Sequence, residues 1–164
     1  MPEGRLKAYW AAAAVFALDR LTKVVIEHRV AESADYRVIP GFFDIVHSAN
    51  RGVAFGIFNE SSVEWRSMAL ILVSVAAVIV IGAYLWRARR IDSATLWGLA
   101  LILGGAAGNA LDRILSGRVT DFLDFHVGEY HWYTFNVADS GVVIGSALLI
   151  LDMLRTKRQA ANVS

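Results

Sequence analysis

The chain has 164 residues, of which 56% are hydrophobic and 19% charged, with a formal net charge of +1 and no cysteine. That length suits one domain, and the charged fraction falls below the roughly 25% usual for a soluble globular domain. Long apolar runs instead point to a polytopic membrane protein, the near-neutral balance argues against nucleic acid or another polyanionic partner, and the lack of Cys excludes disulfides, thiolate metal sites and a Cys nucleophile.

Residues 1–8 carry Arg5 and Lys7 ahead of a span-length segment, Tyr9 to His28. Tyr9 to Leu18 is purely apolar, but Asp19, Arg20, Lys23 and Glu27 follow at once. No clean small-residue cleavage site follows, so the segment is read as a retained span rather than a signal peptide. Asp19, Lys23 and Glu27 are spaced i, i+4, i+8 and share one helix face. A charged stripe inside a span faces the protein interior or water, not lipid.

Val30 to Asn59 is the expected non-helical region. Tyr36 to Ile39 and Phe42 to Ser48 read as strands about a Pro40-Gly41 turn. Together they suggest a small sheet on the membrane surface, followed by Ser48 to Gly56, in which Gly52 and Gly56 permit tight turns. Ser61-Ser-Val-Glu64 reads as a capping box opening a second span, about 65–86. Trp86-Arg-Ala-Arg-Arg90 closes it with an aromatic belt residue and positive charge. Asp92 and Ser93 are candidate caps for a third span, about 94–115. An outer loop, about 116–137, leads to a fourth span, about 138–154, which ends at Arg155-Thr-Lys-Arg158.

These features predict an all-α membrane protein: a four-transmembrane-helix bundle with a small extracytoplasmic β-sheet between helices 1 and 2, all in one integral membrane domain, 1–164. Four spans bring the basic N-terminus, the 87–90 cluster and the basic C-terminus to one side, the cytoplasm by the positive-inside rule. The sheet and the 116–137 loop then share the outer side.

Gly104-xxx-Gly108 and Gly141-xxx-Gly145 are close-packing signals. Each adjoins a polar group: Asn109, Asp112 and Arg113 at i, i+3, i+4, and Asn136, Asp139 and Ser140 likewise. Two such helices could share one site. Each residue also has a plainer role: Asn136-x-x-Asp139 as an N-terminal cap, Asp112-Arg113 as a neighbouring charge pair, Asn50-Arg51-Gly52 as a turn and Asp19 as a packing residue. Alternation over Val119 to Phe125 puts Asp121 on an apolar face and leaves Asp124 as the candidate for a solvated charge. GxSxG and HExxH are absent. His28, His47, His126 and His131 are scattered without helical metal spacing, so no metal or cofactor is expected. What remains is a pair of carboxylates. Held close, two aspartates share a proton, and one activates water while the other protonates or hydrogen-bonds a carbonyl. Helix spacing alone would pair Asp112 with Asp139.

Five segments carry a resemblance: Leu18 to Lys23 (LDRLTK), Asn50 to Phe55 (NRGVAF), Gly104 to Arg113 (GGAAGNALDR), Val119 to Phe122 (VTDF) and Phe135 to Ser140 (FNVADS). In this order and spacing the chain resembles bacterial lipoprotein signal peptidase, or signal peptidase II, over nearly its whole length. The resemblance implies a four-helix aspartyl endopeptidase of the bacterial inner membrane. Its substrates would be prolipoproteins carrying diacylglycerol on a Cys, cut on the amino side of that Cys. It makes Asp121 and Asp139 the catalytic dyad, and Asn50, Asn109, Arg113 and Asn136 the residues that position substrate and tune the acids. Asp19 and Asp112 would support the site, and the loop around His126 to Trp132 would form a flap. Arg20 and Arg51 depart from the Gln and Thr frequent in the family. The expected state is a monomer among membrane lipids. The rival readings are a proton-coupled transporter, whose site belongs near the midplane, and a non-catalytic scaffold.

Overall fold

The computed structural model describes residues 3–32, 34–52, 61–88 and 91–161. Val53 to Gly56, Arg89, Arg90 and the side chains of the Ser61–Glu64 capping box lie outside the described residues. Among the described residues, four long helices cover the expected spans: α1 (Glu3–Arg29), α2 (Ser61–Arg87), α3 (Ser93–Ser116) and α4 (Val137–Ala161). Three contain stretches long and apolar enough to cross a membrane, namely Met68–Arg87, Ser93–Ser116 and Val137–Lys157. α1 is as long, but its second half carries the charged stripe. Asp19 and Lys23 there are fully buried, so these charges turn inward. The exposed faces of the other helices are rich in Leu72, Val73, Ile79, Val80, Val143 and Ile150.

α3 is central and packs against α1, α2 and α4. Its buried side is built from small residues, including Gly98, Gly104, Gly105 and Gly108. The two GxxxG motifs do not simply face each other. A Cβ on Gly104 would meet α1, 2.8 Å from the Val15 Cβ. One on Gly105 would meet α4, against the Ala138 carbonyl and 2.9 Å from Val142, while Gly145 closes on Gly98. Consecutive helical residues point about 100° apart, so adjacent glycines serve two different neighbours. Asp92 stands at the N-cap of α3 in extended geometry, but its side chain makes no capping hydrogen bond. Gly117 ends α3 at φ +68°, its N–H donating to the Arg113 carbonyl at 3.0 Å. This left-handed cap turns the chain directly into a strand.

That strand corrects the expected position of the sheet. Among the described residues the sheet has four strands, in the order β1 (Tyr36–Ile39), β2 (Phe43–Asn50), β3 (Val119–Val127) and β4 (Tyr130–His131). Only β1 and β2 lie between α1 and α2; the longest strand, β3, falls in the segment expected to be loop. β2 and β3 are antiparallel, with Asp44 opposite Asp124 and Ser48 opposite Asp121. Residues 119–122 of β3 are all buried, so alternation does not divide the start of this strand into wet and dry faces. Asp124 is also buried rather than solvated, its Oδ2 lying 2.8 Å from His131 Nδ1. Ile26 and Val30 at the end of α1 pack with Phe122, and Ile45, Leu123 and Val137 surround them. This small core fixes the sheet to the helix ends from which the acids project.

Candidate active site

Asp121 comes from β3 and Asp139 from the first turn of α4. Asn136 lies between them. Its side-chain amide donates to Asp121 Oδ1 at 2.7 Å, and its Oδ1 accepts the Asp139 backbone N–H at 2.9 Å. The Asn136 backbone N–H points back to Asp139 Oδ2 at 3.4 Å. The cap expected of Asn136-x-x-Asp139 therefore exists, as a reciprocal box, and the same residue also holds the second acid. Asn50 reaches from the end of β2 to donate to Asp121 Oδ2 at 2.9 Å. Its own Oδ1 accepts the N–H of Gly52, which sits at φ +74°. Turn and site roles again coincide in one side chain.

On α3, Asn109 Nδ2 donates to Asp139 Oδ1 at 2.7 Å. Arg113 Nη1 donates to the Asn109 carbonyl at 3.3 Å, and the guanidinium lies within electrostatic reach of Asp139, Asp121 and Asp112. Asp19 reaches from α1 to accept the Ala138 backbone N–H at 2.8 Å. That N–H is one of the unpaired donors of the first turn of α4, so a buried acid of one helix caps another. Asp112 departs from its expected pairing with Arg113. Its carboxylate faces Lys23 at 2.7 Å and Arg20 at 3.0 Å, because i and i+1 side chains diverge on a helix.

Burial pushes the Asp121 carboxyl up to about 6; the nearby Asp139 charge adds to this, while hydrogen bonds from Asn50 and Asn136 oppose it. Asp121 is 1% exposed, whereas Asp139 is half-buried. One carboxyl thus readily keeps a proton while another is open to solvent, as shared acid–base work requires. Lys23 was not among the sequence-selected site residues. It is fully buried and contacts Asp19, Asn109 and Asp112; the signal was a lysine four residues after an aspartate inside a span. Thr120 Oγ1 donates to Glu27 Oε1 at 2.8 Å, fastening β3 to α1.

Long apolar helices enclosing a network of carboxylates and amides define a membrane-embedded protein with a polar site at the helix ends. The family model for signal peptidase (SPase) II matches residues 11–155. The chain is 62% identical over 164 residues to a lipoprotein signal peptidase of Solibacter usitatus (strain Ellin6076), covering all of both chains. It is 43% identical to that of Oleidesulfovibrio alaskensis, covering 91% of this chain and 95% of the relative. It also superposes on a bacterial membrane enzyme solved by the in meso method at 1.9 Å resolution, with TM-score 0.78 and 28% identity over 90% of this chain and 92% of that one. The chain belongs to the signal peptidase II family. It is a protease of the aspartic type, and its family removes signal peptides from prolipoproteins.

Proposed function

We propose that Asp121 and Asp139 are the catalytic dyad that cleaves prolipoproteins on the amino side of a diacylglyceryl-modified Cys. The observation that carries this reading is Asn136, whose single side chain hydrogen-bonds the Asp121 carboxylate and the Asp139 backbone. The ionised carboxyl takes a proton from water, and the water oxygen attacks the scissile carbonyl carbon. The protonated carboxyl donates to the carbonyl oxygen. Collapse of the tetrahedral species breaks the C–N bond, with a proton passing to the leaving amine. The pair titrates as a unit, and burial of Asp121 favours it as the member holding the proton at rest.

Asn50 and Asn136 orient Asp121, while Asn109 orients Asp139. Arg113 stands beside the acids to position substrate backbone. Asp19 and Asp112 hold the helices beneath them. The whole chain, 1–164, forms one integral domain of four spans in the bacterial inner membrane, functioning as a monomer among lipids. Arg5 donates to the Trp86 carbonyl and Thr95 to Asp152, which supports gathering the three basic segments at one end, the cytoplasmic one. The sheet and the dyad then belong to the outer face. There the acyl chains stay in the bilayer while the scissile bond meets water.

The test is purified protein with a diacylglyceryl-modified prolipoprotein, comparing the wild type with Asp121→Asn and Asp139→Asn. Each variant is expected to fold and to lose cleavage. Normal processing by both would remove the dyad assignment.

A further inference from the structure

Lys23 is a fully buried ionisable group that the mechanism above leaves unused. Its ammonium has three N–H donors and no acceptor. Three acceptors meet it: Asp112 Oδ2 at 2.7 Å, Asp19 Oδ2 at 2.8 Å and Asn109 Oδ1 at 3.1 Å. Two of these are hydrogen bonds, to Asp19 and Asn109, and the Asp112 contact is an ion pair; the lysine is 0% exposed. The first two contacts neutralise charge. The third chooses an orientation. An Asn side chain has an oxygen and a nitrogen on nearly symmetric arms, and its direction follows from its partners. A donor-only ammonium permits only the oxygen on its side, so Asn109 must turn its NH₂ toward Asp139, at 2.7 Å. The same Asn109 oxygen accepts from Asn136 Nδ2 at 3.3 Å, and Asn136 Nδ2 also meets Asp121 Oδ1. With its nitrogen so committed, Asn136 turns its oxygen to the Asp139 N–H.

We infer that Lys23 is a positioning residue for the catalytic step: through Asn109 it sets the direction of the amide chain that hydrogen-bonds both carboxylates. This rests on the dyad reading above. Lys23 touches neither Asp121 nor Asp139 in a hydrogen bond, so it acts through Asn109 and through its positive charge. Without it, the Asn109 oxygen keeps only the longer contact from Asn136, at 3.3 Å, and the amide is held less firmly with its NH₂ toward Asp139. Loss of the charge also favours the protonated forms of nearby acids.

The experiment uses the full chain in lipid nanodiscs with a diacylglyceryl-modified prolipoprotein. Lys23→Met is expected to lower kcat by about 10²-fold, leave KM within about twofold, and move the pH–rate profile upward by roughly half a unit to one unit. Lys23→Arg, which keeps a donor-only cation, restores much of kcat and the wild-type profile. Because Lys23→Met leaves Asp19 without its cation and Asp112 with Arg20 alone, Lys23→Met/Asp112→Asn, which removes one of the two buried negative charges, is measured beside it. The double variant regains thermal stability but not kcat. Asn109→Asp keeps an oxygen toward Lys23 and loses the donor to Asp139, and it reproduces the kcat loss whatever the Lys23 variants do. Wild-type kcat and pH profile in the double variant, or in Asn109→Asp, would overturn the inference. Asp121→Asn and Asp139→Asn run in parallel: if they cleave, the dyad reading fails. If they are inactive while Lys23 variants are normal, only the role of Lys23 fails.

Discussion

Replacing Asp121 with Asn tests the electrostatics of the site independently of catalysis. Burial holds this carboxyl at about 6, against an ordinary value of 3.8. The difference is about 2 units, or roughly 3 kcal/mol between protonation states. Because the folded value lies above the unfolded one, the folded chain binds more protons between about pH 4 and 6. Stability therefore falls as pH rises through that window, and the loss is complete above about pH 6. The Asn variant has no such titration. It does carry a constant cost of about 1–2 kcal/mol, because Asn50 and Asn136 both donate to this side chain and an amide oxygen takes the place of only one carboxylate oxygen. The informative quantity is thus the slope, not the offset. Thermal unfolding in detergent, followed by tryptophan fluorescence from pH 4 to 7.5, gives the variant-minus-wild-type difference, in which other titrations cancel. That difference is expected to move in favour of the variant by roughly 2–3 kcal/mol across the range. A flat difference, or one of opposite sign, would mean that Asp121 is not held in a desolvated site.

Asn136→Ala removes the amide to Asp121 and the cap of α4 together; kcat is expected to fall by about 10²–10³-fold, with a melting loss near 1 kcal/mol, both measurable on one preparation. Gly105→Ala puts a methyl against the Ala138 carbonyl, which as helix backbone cannot give way. It should cost about 1–3 kcal/mol and displace Asp139 enough to lower kcat, so an unchanged melt would contradict the close α3–α4 approach. Gly117→Ala meets open space but keeps φ +68°. A stability loss of about 1 kcal/mol with near-normal cleavage is expected. Cleavage through two carboxylates should also persist in excess chelator, and inhibition reversed by added metal would speak against the dyad.

Much of the site was legible because membrane segments make polar residues conspicuous. Asp19, Asn109, Asp112 and Asp139 stand inside or at the ends of apolar runs, where each carries a desolvation cost that a scaffold does not retain without partners. The motifs then identified the family, and the resemblance singled out Asp121 as the proposed partner of Asp139. The partners of Asp112 were not legible. The neighbouring Arg113 was the obvious counter-charge in the sequence, yet adjacent helical residues diverge, and the actual cations come from α1. Lys23 was overlooked for a related reason: only Asp19 lies in its local sequence, while Asn109 and Asp112 come from α3.

The sequence by itself determined the long helices, the inward charged stripe of α1, the left-handed glycine turns and the inventory of acids and amides. These follow from local backbone preferences and from the cost of polar groups among apolar ones. Only the tertiary structure decided that residues 119–127 pair with β2, that Asp124 is buried beside His131, and that adjacent glycines of α3 serve α1 and α4 separately. Only it decided that Asn136 holds Asp121 while capping α4. Strand pairing and buried hydrogen bonds depend on residues dozens of positions away. Their geometry is fixed when the helices pack, not by any pattern along the chain.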